Sequence, residues 1–264
     1  MSDPVLIEKS DGVLVLTLNR PERKNALTLE MHRTLGDAIE AANDDRAIRA
    51  ILIQANGDMF TAGQDVAEFL EINAGGTAGQ SPGPPSAQPL GTPLLQALVN
   101  ATKPLVAAVH GRAVGIGLTL LLHCDLVYVA EDALLSSPFV NLALLPEAAS
   151  SLLLPARIGH ARAFAMFVLG EAVDGKTAAA WGIANAAVPA SELRARARAA
   201  AEAIAARAPA SVTQTKALMR DAPAIAAQME KEGKVFAAQL KSREAKEAFD
   251  AFAQKRAPDF SKVA

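Results

Sequence analysis

Between Asp132 and Arg157 the sequence holds one ionisable side chain, Glu147, in the run LALLPEAASSLLL of residues 142–154. A carboxylate in such apolar surroundings loses hydration, which disfavours its charged form and raises its pKa toward the range of a general base near neutrality. Pro146-Glu147 also has the form of a helix's first turn, where the dipole favours an acid for structural reasons alone. Both readings stand at this level. Two glycine-containing segments offer complementary chemistry: Phe60-Thr61-Ala62-Gly63-Gln64-Asp65-Val66 and His110-Gly111-Arg112-Ala113-Val114-Gly115-Ile116-Gly117. Each lies between a strand-like run and a helix-like run, and glycine permits backbone conformations that expose amide N–H groups. Read singly, each is a plain turn; brought together, they would form an oxyanion hole of main-chain donors.

Other chemistries are missing. There is no G-x-S-x-G nucleophile elbow and no G-x-x-x-x-G-K-[ST] phosphate loop. Gly115-Ile116-Gly117 follows a strand-like run, but Leu120 occupies the position where a dinucleotide fingerprint needs Gly or Ala. The four histidines, at 32, 110, 123 and 160, form no H-E-x-x-H pair, and Cys124 is the only cysteine. A metal site, an intrachain disulfide and a nucleotide cofactor are therefore not expected.

The elements that must position these residues follow from patterning. Val5 to Leu18 alternates around Asp11-Gly12, a two-residue hairpin signal. Thr28 is a helix cap for Leu29, His32, Leu35 and Ile39, which follow helical spacing to Asp44-Asp45. Continuous apolar runs at 50–54, 106–110 and 126–129 read as buried strands. Helices are expected over Asp65–Ile72, Leu94–Ala101, Ile116–His123 and Ala161–Val168, and strands alternating with helices imply an α/β architecture with largely parallel pairing. Ala74–Pro93, mostly Gly, Pro, Ser, Ala and Gln, reads as a loop or a lid. After residue 190 the chain is Ala-rich, charged and helical. With 264 residues, net charge −2 and 51% hydrophobic side chains, the composition is that of a packed globular protein without the basic excess of a nucleic-acid binder. The N-terminus lacks a signal-peptide pattern, and Leu105–Leu122 is interrupted by His110, Arg112 and three glycines, so neither secretion nor a membrane span is expected. The expected setting is cytoplasmic.

Several segments together resemble the crotonase superfamily, the enoyl-CoA hydratase/isomerase family. Phe60–Val66 is similar to its F-[ST]-A-G-x-D-[LIV] segment, and residues 19–27 (NRPERKNAL) to its N-R-P-x-x-x-N-A-[LM] element. Lys103-Pro104 with Val106–Asp125 is similar to its K-P…G-x-G…C-D block, and residues 252–260 (FAQKRAPDF) to its C-terminal F-x-x-K-R-x-P-x-F. The matches run in order from residue 19 to 260. The resemblance implies a spiral of ββα units over residues 1–190 holding an acyl-CoA site, and a helical region over 191–264 that assembles trimers or dimers of trimers. It implies an acyl-CoA thioester as substrate, with no separate cofactor, and the backbone N–H groups of Gln64 and Ile116 as oxyanion donors. Ala26, Ala62, Gly63, Asp65, Val66 and Gly115 would line the thioester site. Arg23 and Lys24, with Lys255 from a neighbouring subunit, would meet the CoA phosphates, and Phe252 is a further substrate-binding position.

Departures from the family pattern point to the reaction. Thr119 and Phe139 stand where the family's hydratases carry their two glutamates. Glu147 instead matches the single acid in the L-x-P-E-x-x-S-S segment of the Δ3,Δ2-enoyl-CoA isomerase branch. One carboxylate suffices for a 1,3-proton shift, whereas hydration needs one group to activate water and another to deliver a proton. The expected activity is enoyl-CoA isomerisation; a hydratase, or a non-catalytic acyl-CoA-binding protein on the same fold, is the alternative.

Overall fold

The computed structural model describes residues 3–65 and 92–263. The helix expected over Asp65–Ile72, the site residue Val66 and the Gly/Pro-rich stretch as far as residue 91 lie outside the described residues. The hairpin forms as its turn dictates: β1 (Val5–Ser10) and β2 (Val13–Leu18) pair antiparallel, with Asp11 and Gly12 both at positive φ, 53° and 76°. The Thr28 hydroxyl accepts from Met31 N at 3.2 Å and starts α1 (Leu29–Asp44), which buries Met31, His32, Leu35 and Ile39.

Next come β3 (Ala50–Ala55), α2 (Pro93–Asn100), β4 (Leu105–Val109), β5 (Arg112–Val114) and α3 (Ile116–Thr119). The helix expected over 116–123 tightens into a 3-10 turn at Leu120–His123. Then follow β6 (Leu126–Ala130), β7 (Leu134–Ser136), α4 (Ser150–Ile158), α5 (His160–Phe164), β8 (Val173–Asp174), α6 (Gly175–Trp181) and β9 (Ala186–Val188). Four helices complete the order: α7 (Ala190–Ala205), α8 (Pro209–Met219), α9 (Ala222–Gln239) and α10 (Arg243–Ala253).

Strands β1-β2-β3-β4-β6-β9 form one sheet, parallel from β2 onward, and β5-β7-β8 form a second, smaller one. The fold is α/β with largely parallel pairing, as expected. Its central strands are covered on both faces: β2 and β4 are buried along their whole length, while the edge strand β1 is largely exposed. The helix α7 lies across β3, β4 and β6 with Leu193, Ala197 and Ala201 buried, its alanine face permitting close approach. The first helix beyond residue 190 thus completes the core, while α9 packs against α2 and α10 against the turn at Val140–Leu142. No helix among the described residues is long and apolar enough to cross a membrane.

Candidate active site

The two glycine segments do meet. Thr61 bridges to Ala113: Thr61 N donates to Arg112 O at 3.0 Å, and Val114 N to Thr61 O at 3.1 Å. Two glycines make that contact feasible. At Gly63, with φ +97°, a Cβ would lie 2.9 Å from Val114 O, and at Gly117 a Cβ would lie 2.5 Å from Thr61 Cγ2. Just beyond the contact stand Gln64 and Ile116. Neither backbone N–H donates to a protein acceptor among the described residues. For Ile116, the first residue of α3, this follows from position, since the opening amides of a helix have no intrahelical acceptor. Both residues line a cavity of about 290 Å³ together with Gly115, Phe139 and Glu147.

Glu147 is not in a helix's first turn. It precedes α4 and opens a tight turn in which its carbonyl accepts from Ser150 N at 3.0 Å, with Ala148 and Ala149 both at positive φ, 59° and 54°. This is the type I′ form, which favours Gly, Asn or Asp; holding alanine there costs roughly 1–2 kcal/mol per residue. The carboxylate faces the cavity, and its other neighbours are protein. Burial pushes its pKa up to about 7, the hydrogen bond from Thr119 opposes the shift, and the charge of Glu232 adds to it. Thr119 Oγ1 donates to Glu147 Oε1 at 2.5 Å, so the residue standing at a family glutamate position supports the acid that remains.

Four supporting side chains had no local sequence signal for a role here: Thr119, His32, His123 and Glu232. His32, on the buried face of α1, lines the cavity and touches Thr92 Oγ1 at 2.7 Å through Nδ1 and Gln64 Oε1 at 2.9 Å through Nε2. Burial lowers its pKa to about 4, so it is neutral near pH 7 and steadies the Gln64 side chain without adding charge. Behind the 147–150 turn, His123 Nε2 contacts Ala148 O at 2.8 Å, while Arg220 donates to His123 Nδ1 at 2.8 Å. That arginine contact fixes Nε2 as the protonated nitrogen. Glu232, 7% exposed on α9, accepts from Ala149 N at 2.6 Å and Ser151 N at 3.0 Å.

The remaining predicted residues fall into three groups. Lys24 and Leu27 tie their segment to the glycine loop, Ala62 N donating to Lys24 O at 2.9 Å and Leu27 N to Gly63 O at 2.8 Å, while Arg23, Lys24 and Ala26 do not line the cavity. Lys24 forms an exposed pair with Asp58 at 2.6 Å, a solvent-screened contact that an anionic ligand can displace. Asp65 is engaged with Arg20 at 2.7 Å, so its carboxylate holds the loop. Phe252, in the last turn of α10, and Lys255, two residues past it, are exposed and do not line this chain's cavity. The C-terminal region contributes otherwise: Met229, Glu232, Gly233 and Phe236 of α9 and Phe249 of α10 form part of the cavity wall. Thus α9 and α10 help to wall the cavity of their own chain.

Residues 8–263 match the family model described as enoyl-CoA hydratase/isomerase. The chain belongs to the enoyl-CoA hydratase/isomerase family. A curated relative, 2,3-dehydroadipyl-CoA hydratase of Escherichia coli, is 30% identical over 97% of this chain and 98% of its own length. Human enoyl-CoA delta isomerase 2 is 32% identical over 71% of this chain and 46% of its own. The crystal structure of an enoyl-CoA hydratase/isomerase from Pseudoalteromonas atlantica is 42% identical, with a TM-score of 0.89 over 98% of this chain and all of that one. The fold is crotonase-like, and the protein is an acyl-CoA enzyme of this family.

Proposed function

We propose that this family member is a Δ3,Δ2-enoyl-CoA isomerase. The observation that carries the reading is Glu147, a carboxylate with a pKa of about 7 in an apolar cavity beside Gln64 and Ile116. In this reading Glu147 removes a C2 proton from a 3-enoyl-CoA; the C2–H bond breaks, and its electrons pass into a dienolate. The backbone N–H groups of Gln64 and Ile116 hold the thioester oxygen, where negative charge gathers. Protonated Glu147 then returns the proton at C4, leaving the conjugated 2-enoyl-CoA and the carboxylate restored. Removing one oxyanion donor typically costs about 3–4 kcal/mol in the barrier, so two such donors supply a substantial share of the catalysis.

Hydration fits less well. It needs a second group to protonate carbon, and the second carboxylate at the cavity, Glu232, has both oxygens engaged by protein donors. In this reading Ala62, Gly63 and Gly115, which line the cavity, frame the thioester end, and Arg23 and Lys24 meet the CoA phosphates. Assembly as a trimer or dimer of trimers would bring Phe252 and Lys255 to a neighbour's CoA, in the cytoplasm and without any further cofactor. The test compares the purified protein on 3-enoyl-CoA and 2-enoyl-CoA, following appearance and loss of the conjugated thioester absorbance. Isomerisation is expected to be the faster reaction, and a hydration rate equal to it would reverse the assignment.

A further inference from the structure

The segment that carries Glu147 is held by residues far from it in sequence. Its two turn alanines occupy the left-handed region, and α4, which begins immediately after, has no side-chain cap of its own. The turn is gripped on both sides: His123 holds Ala148 O, and Glu232 Oε2 accepts from Ala149 N at 2.6 Å. Glu232 Oε1 accepts from both the N–H and the hydroxyl of Ser151, and Gln228 Nε2 donates to that hydroxyl at 2.8 Å. Glu232 sits in the run Glu230-Lys231-Glu232-Gly233-Lys234, yet it alone among those five residues is buried. Burial raises the pKa of Glu232, and the donors that make every contact to its carboxylate oppose that rise by favouring the anion.

We propose that Glu232 is a positioning residue for the general base: from α9 it clamps the 147–150 turn and so fixes where the Glu147 carboxylate meets the substrate's α-carbon. This rests on Glu147 acting as the base. It ties the covering helix α9 to the chemistry, so that seating α9 completes the geometry of the base. A purely structural cap on α4 is the competing role, and the two separate in one experiment.

The experiment is exchange of the α-protons of a saturated acyl-CoA in deuterated water, followed by NMR. It reports the general base whatever the net reaction. Wild type, Glu147→Gln and Glu232→Gln are compared across pH, alongside acyl-CoA titration and thermal melting. The charged and titratable groups around Glu147 are Glu232 from α9, His32 of α1 across the cavity, and His123 with Arg220 behind the turn. Both histidines are held neutral near pH 7 by burial, at about 4 and about 3, so Glu232 is the neighbour whose loss moves the profile. Misplacing a base by an ångström costs about 10²-fold, so Glu232→Gln is expected to lose between ~10 and ~100-fold in exchange at saturation. Acyl-CoA affinity should stay within about twofold, and the rising limb should move to lower pH because the charge beside Glu147 is gone. Should that variant fail to fold, Ser151→Ala, which removes the hydroxyl arm of the clamp and leaves the Glu232 charge in place, is expected to lower exchange at smaller amplitude with affinity kept and the limb unmoved; wild-type exchange in Ser151→Ala would then overturn the proposal. A variant that melts earlier yet exchanges like wild type, with an unmoved limb, makes Glu232 a cap and overturns the proposal. Wild-type exchange that is undiminished in Glu147→Gln removes the base itself, and the proposal with it.

Discussion

Replacing Glu147 with Gln should make the protein more stable while disabling it. The folded-state pKa of Glu147 is about 7 against an ordinary 4.5, and burial is the main cause. A tenfold change in proton affinity corresponds to about 1.4 kcal/mol, so ionising Glu147 in the folded chain costs roughly 3 kcal/mol relative to the unfolded chain. The sign follows from the direction of the displacement. With a raised folded pKa, the favourable contribution is complete below pH 4.5 and disappears as pH rises through about 7. Glutamine keeps an acceptor for Thr119 Oγ1 and never ionises. The stability difference, Glu147→Gln minus wild type, should therefore increase by about 3 kcal/mol between pH 4 and pH 8. Denaturant unfolding at a series of pH values, at one protein concentration, reads this directly. Turnover of the same variant should fall at least about 10²-fold with acyl-CoA affinity little changed. A stability difference that is flat across that range would refute the claim that the base is desolvated.

Three further outcomes follow from the geometry. The rate profile should show one rising limb near pH 7 from Glu147 and no histidine limb, because His32 is pushed down to about 4; a second inflection between pH 5 and 6.5 would contradict this. Ile116→Pro removes a proposed oxyanion donor at a first-turn position whose backbone tolerates proline, so kcat should fall about 10²–10³-fold, whereas Ile116→Val, which trims the same buried side chain and keeps the N–H, should melt earlier with kcat little changed. Gly63→Ala, strained at φ +97° and forced against Val114 O, should cost about 1–3 kcal/mol in thermal unfolding and spread the two oxyanion segments, lowering activity as well.

Local pattern makes much of this molecule legible. The Asp11-Gly12 turn, the Thr28 cap and the apolar runs of β3, β4 and β6 each encode their own conformation, because a turn, a cap and strand burial depend on a few neighbouring residues. Glu147 is visible because an isolated charge in an apolar run has few bland explanations. Its surroundings are not. Glu232 lies in a run that reads as a solvated helix face, and His32 follows helical spacing with the leucines around it. Their roles arise only when α9 folds over α4 and when α1 meets the 61–65 segment. Thr119 illustrates the same limit: sequence marks it as a missing glutamate, and packing makes it the partner of the one that remains. The C-terminal helices read correctly as helices, but nothing in their alanine-rich pattern shows that Met229, Phe236 and Phe249 wall the cavity of the same chain.

The central claim, a single carboxylate carrying one proton from C2 to C4, is tested most directly with a 3-enoyl-CoA deuterated at C2, converted in ordinary water and analysed by NMR. The predicted product is a 2-enoyl-CoA with deuterium at C4, formed at least about 10²-fold more slowly by Glu147→Gln. A 3-hydroxyacyl product without C4 label, or an undiminished rate in Glu147→Gln, would contradict that claim.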